Sequence, residues 1–123
     1  MKIRIKGNSI RLRLTKTDVA NLNKTGKVSE QTVVAPGQVF SYELSADPAA
    51  ENISAQFADN RITVTLSGEA FKTLTETDEI TVQGNQENGE KDSLFLLIEK
   101  DLKCLDITFE DQSDMYENPK THC

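Results

Sequence analysis

Apolar and polar residues alternate in short runs along the first hundred positions of the chain. Residues 2–6 read Lys-Ile-Arg-Ile-Lys, and residues 10–14 read Ile-Arg-Leu-Arg-Leu. A period of two is typical of a strand with one buried face, and the Gly-Asn-Ser between the two runs favours a turn. We therefore expect a hairpin, followed by a short helix that Thr15 or Thr17 caps and Gly26 ends.

The same pattern returns 52 residues later, without a gap. Nine residues are identical over about 43 aligned pairs, where about three identities would arise by chance. We interpret residues 1–46 and 53–99 as two copies of a hairpin–helix–hairpin unit. Residues 1–100 then form a single β-rich domain, and residues 101–123 form an acidic C-terminal tail with poor periodicity.

Eight strands and two helices predict an α+β fold that is mainly antiparallel β. Nearly every strand has one apolar and one polar face, so two closed architectures fit. In a small barrel the apolar face fills the interior, whereas in a wide barrel the polar face lines a tunnel. An open antiparallel sheet or a sandwich with two helices is the alternative.

Composition narrows the class of protein. The chain has 123 residues, of which 37% are hydrophobic and 28% charged, as is usual for one soluble domain. No apolar run approaches the ~18 residues that span a bilayer, and the first residues lack the apolar core of a signal peptide. We therefore expect a cytoplasmic protein that does not contact a membrane. Two cysteines exclude a disulfide scaffold.

The net charge of −6 conceals an uneven distribution. Residues 1–27 hold eight basic residues and one acidic residue, whereas residues 28–123 hold six basic and 19 acidic residues. The overall acidity argues against general nucleic-acid binding. Like charges that face each other on neighbouring strands repel, so five cations on one hairpin face need an offsetting anion. Glu43 and Glu99 across the sheet, the acidic tail, or an anionic ligand could supply it. The five cations are Lys2, Arg4, Lys6, Arg11 and Arg13.

The opening MKIRIKGNSIRLRLT resembles that of a family of short, uncharacterised bacterial proteins, from which no activity carries over. The order of elements over residues 1–100 resembles the CYTH-like, or triphosphate tunnel, fold, which closes an eight-stranded barrel from a duplicated β-α-β-β-β unit. This resemblance makes a CYTH-like barrel our first expectation for the fold.

The motifs of that fold are only partly present. Triphosphate tunnel enzymes open with Glu-x-Glu-x-Lys, whose carboxylates hold a divalent metal, and here only Lys6 corresponds to that motif. Arg11 and Arg13 resemble the arginines that grip phosphate, and Glu43 and Glu99 are candidates for the later acidic ligands. The resemblance therefore implies phosphate-type binding rather than a metal site for phosphoryl transfer.

Guanidinium groups match phosphate oxygens bidentately. We therefore expect non-catalytic binding of a phosphorylated or otherwise anionic small ligand, chiefly by Lys6, Arg11 and Arg13, with Lys2 and Arg4 in support. The secondary polar face comprises Glu43, Arg61 and Glu99.

Three alternatives stay open. The basic hairpin could instead receive an acidic segment of the tail or of a partner protein, which would make the domain a protein-interaction module. The chain could be a divergent metal-dependent phosphohydrolase that uses Glu43 and Glu99. It could also form a homodimer.

No catalytic residue, metal or cofactor is expected. The soft metal ligands of the chain are Cys104, His122 and Cys123, and their spacing matches no zinc motif. A redox pairing of the two cysteines is a further alternative.

Overall fold

Within residues 1–103 and 113–117, which the computed structural model describes, the chain forms eight strands and two helices. In chain order they are β1 Lys2–Ile5, β2 Ser9–Leu14, α1 Lys16–Thr25, β3 Lys27–Ala35, β4 Gln38–Ala46, β5 Ser54–Ala58, β6 Arg61–Leu66, α2 Gly68–Glu76, β7 Thr81–Gln86 and β8 Leu94–Lys100. In this part of the chain, no helix has the length and apolar character needed to cross a membrane.

The strands form two separate four-stranded sheets. Sheet A has the order β1-β2-β8-β7, and sheet B has the order β3-β4-β6-β5. Each hairpin is antiparallel, but the central pairs, β2 with β8 and β4 with β6, are parallel. The fold is therefore α+β with two mixed sheets. This arrangement corrects the expectation of a closed barrel and is compatible with the sandwich alternative. Of the six pairs among the described strands, four are antiparallel, as expected.

The helices explain why the sheets are mixed. Helix α1 carries the chain from β2 in sheet A to β3 in sheet B, and α2 carries it back from β6 to β7. Each unit therefore gives its first hairpin to one sheet and its second hairpin to the other. The central strands of each sheet come from different units, and they run in the same direction.

The apolar faces of both sheets point into one core. Its strand residues are fully or almost fully buried, and α1 and α2 each add a buried leucine. The core residues are Ile10, Leu12, Leu14, Leu96 and Ile98 from sheet A, Leu44, Ile62, Val64 and Leu66 from sheet B, and Leu22 and Leu74 from the helices. Because residues alternate between faces along a strand, the polar faces lie on the outside of the molecule.

The two ends of the molecule differ. The strand directions place the turns of the four hairpins at one end, which we call the hairpin end. The two helices contact each other at the opposite end, where the last residues of β2 and β6, Leu14 and Leu66, are completely covered.

Side chains bridge the edges where the two sheets meet. Between β7 and β5, the Ala55 N–H donates to Gln86 Oε1 at 2.6 Å, and Gln86 Nε2 donates to the Ala55 carbonyl at 2.9 Å. Between β1 and sheet B, the Tyr42 hydroxyl donates to the Met1 carbonyl at 2.9 Å. The backbone ladders of the described strands stop at both edges, so the sheets do not merge into a barrel.

The order strand–strand–helix–strand–strand occurs twice, and β1-β2-β8-β7 has the same topology as β5-β6-β4-β3. The first hairpins correspond at the expected shift of 52, since Lys2 pairs with Arg13 as Ser54 pairs with Thr65. A common origin of the two halves, and the division of the chain at residue 100, stay predictions.

The second hairpins correspond at a shift of 54 instead of 52. Lys27 pairs with Ser45 as Thr81 pairs with Glu99. The connection from α1 to β3 is a single residue, whereas the connection from α2 to β7 spans residues 77–80. The ungapped alignment of the repeat is therefore displaced by two residues after the helix.

Helix α1 begins as the sequence predicts. The Thr15 hydroxyl accepts from the Asp18 N–H, and Asp18 accepts from the Thr15 N–H, which completes a capping box. Asp18 also lies 2.9 Å from the Met1 ammonium, and Glu30 lies 3.2 Å from it. At the other end of α1, Gly26 has φ of 82°, a conformation that glycine adopts without strain.

These contacts move two pKa values in opposite directions. Burial opposes the charge of the Met1 ammonium, but hydrogen bonds to Asp18 and Glu30 outweigh it and raise the pKa above 8.0. Burial likewise opposes the charge of Asp18, but hydrogen bonds from Met1 and Thr15 lower the pKa of this carboxyl. A carboxyl whose pKa is lowered by folding stabilises the fold at pH values above the pKa that it has in the unfolded chain. An amine whose pKa is raised by folding stabilises the fold at pH values below the pKa that it has in the unfolded chain.

We predict that Asp18→Asn lowers the free energy of unfolding by about 1 kcal/mol near pH 6. The difference from the wild type should vanish as the pH falls through the lowered pKa of Asp18. It should also shrink above pH 8 as the Met1 ammonium deprotonates. Urea unfolding between pH 2.5 and 10, on protein with a free Met1 amine, measures this. Asp59→Asn in an exposed turn is the control, and equal pH profiles for the two variants would contradict the assignment.

Candidate anion-binding face

The predicted basic residues share the outer face of sheet A at its β1 edge. Lys2 and Arg4 alternate with apolar residues on β1, and Arg11 and Arg13 alternate with core residues on β2. Lys6 follows β1, where its backbone N–H and carbonyl close the hairpin on Ser9. We call the outer side of β1 and β2, with these five cations, the basic face.

The register sets like charges directly opposite one another. Lys2 is the cross-strand neighbour of Arg13, and Arg4 is the neighbour of Arg11. Side chains at such positions lie about 5 Å apart at their Cβ atoms, where equal charges destabilise the pairing. The next strand of the sheet, β8, provides the compensation.

Glu99 is the carboxylate that offsets this repulsion. It lies opposite Arg13 on the central strand β8 and is only 5% exposed. Its Oε1 accepts from Arg11 Nη2 at 3.2 Å, from Arg13 Nη2 at 3.0 Å and from Arg13 Nε at 3.1 Å. A buried carboxylate is tolerated when it is paired and hydrogen-bonded in this way.

The cations differ in what they contact. Arg11 is largely covered, and Arg13 remains 43% exposed while it holds Glu99. The Lys2 ammonium is 3.9 Å from Asp101, and its side chain is 74% exposed. Arg4 and Lys6 are exposed as well. The structure thus gives Arg11 and Arg13 the internal carboxylate of Glu99, one of the offsetting anions that the sequence suggests. Their role as main ligand contacts together with Lys6 stays a prediction.

The secondary polar residues divide between the two sheets. Glu43 and Arg61 lie on the outer face of sheet B, where Arg61 Nη1 is 3.8 Å from Glu43 Oε1 and Arg61 Nε donates to Ser41 Oγ at 3.1 Å. Glu99 lies on the outer face of sheet A. Because the core separates Glu43 from Glu99, these two carboxylates do not converge on one metal ion.

In the described residues, no group of three or more histidine, cysteine or acidic side chains is arranged to hold a metal. Cys104, His122 and Cys123 lie outside the described residues. Two pockets, of about 310 and 460 Å³, lie along α2, and their linings contain none of the five cations.

Two features of the basic face were missed at the sequence level. The sequence places Asp101 in the acidic tail, whereas the structure sets its carboxylate 3.9 Å from the Lys2 ammonium. Leu97 lies next to Arg11 on the outer face and is 3% exposed, outside the main core. The unbroken run Leu96-Leu97-Ile98 was the available signal, since a run without alternation is typical of a strand buried on both faces.

We predict that Glu99→Gln lowers the free energy of unfolding by about 2–3 kcal/mol, because two guanidinium groups lose their shared negative partner. Urea unfolding at pH 7 measures the change. Glu43→Gln is the matched control on the other sheet, and its half-exposed partner at 3.8 Å should make it cost less than about 1 kcal/mol. Equal losses for the two variants would show that Glu99 is not the compensating charge.

Comparison with known proteins gives one family match. A model described as a family of unknown function, DUF7009, matches residues 1–120. No curated protein and no solved structure matches the chain significantly. Since the match covers nearly the whole sequence, the chain belongs to the DUF7009 family.

Proposed function

We propose that the basic face binds an anionic ligand of the phosphate type without catalysing a reaction. The proposal rests on two cross-strand pairs of like-charged neighbours, Lys2 with Arg13 and Arg4 with Arg11. Five cations lie on this face, and in the described residues Glu99 and Asp101 lie against Arg11, Arg13 and Lys2. An anion that settles on the face relieves the repulsion that folding creates there.

Glu99 contributes to this function by holding the arginines in place. Its carboxylate fixes Arg13 through both Nε and Nη2, so part of the side-chain entropy is lost before a ligand arrives. A ligand then meets a preorganised positive surface rather than mobile side chains. Exposed Lys2, Arg4 and Lys6 supply the charge at its rim.

The sheet geometry favours a ligand with more than one anionic group. Residues two apart on one strand are separated by about 6.6 Å, and opposed residues by about 5 Å. A polyphosphate is long enough to contact several cations at these spacings. Unlike the phosphate-binding arginines of the CYTH-like fold, the basic residues lie on the outer face of sheet A and not within a tunnel.

We predict that the protein binds inorganic tripolyphosphate, and that Arg4→Gln with Lys6→Gln weakens the affinity at least tenfold. Both side chains are exposed, so the double variant should fold normally. Isothermal titration calorimetry at 50 mM salt measures the affinity, which should fall as salt rises.

Lys16→Gln with Lys24→Gln is the matched control, since it removes the same charge from exposed positions on α1. It should leave the affinity within twofold of the wild type. Undetectable binding to the wild type, or equal losses in the two double variants, would overturn the proposal.

A second candidate is the protein-interaction module, in which the basic face receives an acidic segment. Exposed Lys2, Arg4 and Lys6 favour it, because an acidic peptide can pair with several cations along one face at once. The tail has such a sequence, with Glu110, Asp111 and Asp114 among its acidic residues.

If the acidic tail competes with a ligand for the basic face, neutralising the acidic residues of the tail should make that face available to the ligand. We predict that Glu110→Gln, Asp111→Asn and Asp114→Asn together raise the affinity for tripolyphosphate several-fold. The control removes three exposed carboxylates elsewhere: Glu51→Gln, Asp59→Asn and Glu76→Gln. An equal gain in both triple variants would mean that only the total charge matters, and that the tail is not the occupant.

A further inference from the structure

Large apolar side chains are exposed together at the hairpin end of the molecule. Three belong to the β3–β4 hairpin and one each to β1 and β5. They are Val33, Val34, Val39, Ile5 and Phe57. Isolated exposed apolar residues are ordinary, but several at one end mark a contact surface.

The β3–β4 hairpin extends beyond the rest of sheet B. Strand β4 pairs with β6 only from Ser41 onward, whereas its pairing with β3 continues to Gln38. Residues 33–40 therefore project by about three residues, or roughly 10 Å, as a two-stranded arm. Val34 at its tip is 69% exposed, and an isolated two-stranded hairpin is only marginally stable in water. We call residues 33–40 the apolar arm.

Phe57 lies at the opposite edge of the same sheet. It is on β5, the edge strand farthest from β3, and pairs with Ile62 on the side that faces the core. The sandwich is open at this end, so Phe57 is 68% exposed. The hairpin end of sheet B thus presents a projecting apolar arm at one edge and an uncovered aromatic ring at the other.

At the hairpin end, the two edges of sheet A carry charges of opposite sign. The exposed Lys6 lies at the β1 edge. The loop from β7 to β8 contains Glu87, Glu90 and Asp92 against Lys91, all exposed. The basic edge lies beside β3 of sheet B, since Met1 contacts Glu30, and the acidic edge lies beside β5, since Gln86 contacts Ala55.

We propose that the hairpin end docks onto the hairpin end of a second copy of this chain. A twofold axis that runs from sheet A to sheet B exchanges the two edges of each sheet. The apolar arm of each copy then contacts Phe57 of the other, and Lys6 of each copy faces Glu87 and Glu90 of the other. Both contacts form twice and the assembly closes as a dimer, as an isologous interface requires.

The second copy fits this surface because the surface contains both halves of each contact. The exposed valines of the arm and the exposed ring of Phe57 each bury apolar surface when they contact each other. The rotation that brings the arm of one copy to Phe57 of the other also brings Lys6 of one copy to the acidic loop of the other. The proposed anion binding also uses Lys6, but the apolar contacts of this interface lie on sheet B, so Val33→Lys and Phe57→Lys distinguish the two proposals.

Sedimentation velocity on the full chain tests the proposal. The wild type should be a dimer at 10–100 μM, and Val33→Lys and Phe57→Lys should each raise the dimer dissociation constant at least tenfold. Ile80→Lys is the control, because Ile80 is an exposed apolar residue before β7, away from the hairpin end. Circular dichroism checks that each variant is folded.

A charge exchange tests the orientation separately. Lys6→Glu should weaken the dimer, and adding Glu87→Lys with Glu90→Lys should restore it. A monomeric wild type over this concentration range, an equal loss with Ile80→Lys, or a failure of the exchange to restore the dimer would each overturn the proposed interface.

Discussion

The parallel pairing at the centre of each sheet is the constraint on which the rest of the structure depends. Strands β2 and β8 are neighbours although some eighty residues separate them along the chain. Their pairing requires each helix to cross from one sheet to the other, which in turn brings the apolar faces of both sheets together. Without these pairs, each hairpin would be an isolated two-stranded unit of marginal stability.

The same constraint creates the basic face. Because β8 is central, its residues are covered on both sides, and Leu97 and Glu99 are buried on the outer face. A carboxylate in that position needs cationic partners within hydrogen-bonding distance. Arg11 and Arg13 supply them. The fold thus uses two of the five cations to satisfy its own central strand, and the side chains of Lys2, Arg4 and Lys6 are exposed at the rim.

The sheet edges show how side chains complete the fold where backbone pairing stops. At one edge Gln86 mimics a backbone partner for Ala55. At the other edge Tyr42 reaches the Met1 carbonyl, while Glu30 and Asp18 hold the Met1 ammonium. These contacts hold the two sheets against each other at their margins. They also link the start of the chain to the first turn of α1.

The sequence by itself determined the local elements. Period-two alternation predicts the strands. The Thr15 cap and Gly26 predict where α1 begins and ends, and the same alternation puts the cations of β1 and β2 on one face. Each of these depends on residues close together in the chain. Which strands pair across the repeat, how Arg11 and Arg13 meet Glu99, and which face lines the core were decided by tertiary structure alone. The reason is physical: a period of two shows that a strand has two faces, but burial of those faces depends on partners that the helices bring from distant parts of the chain.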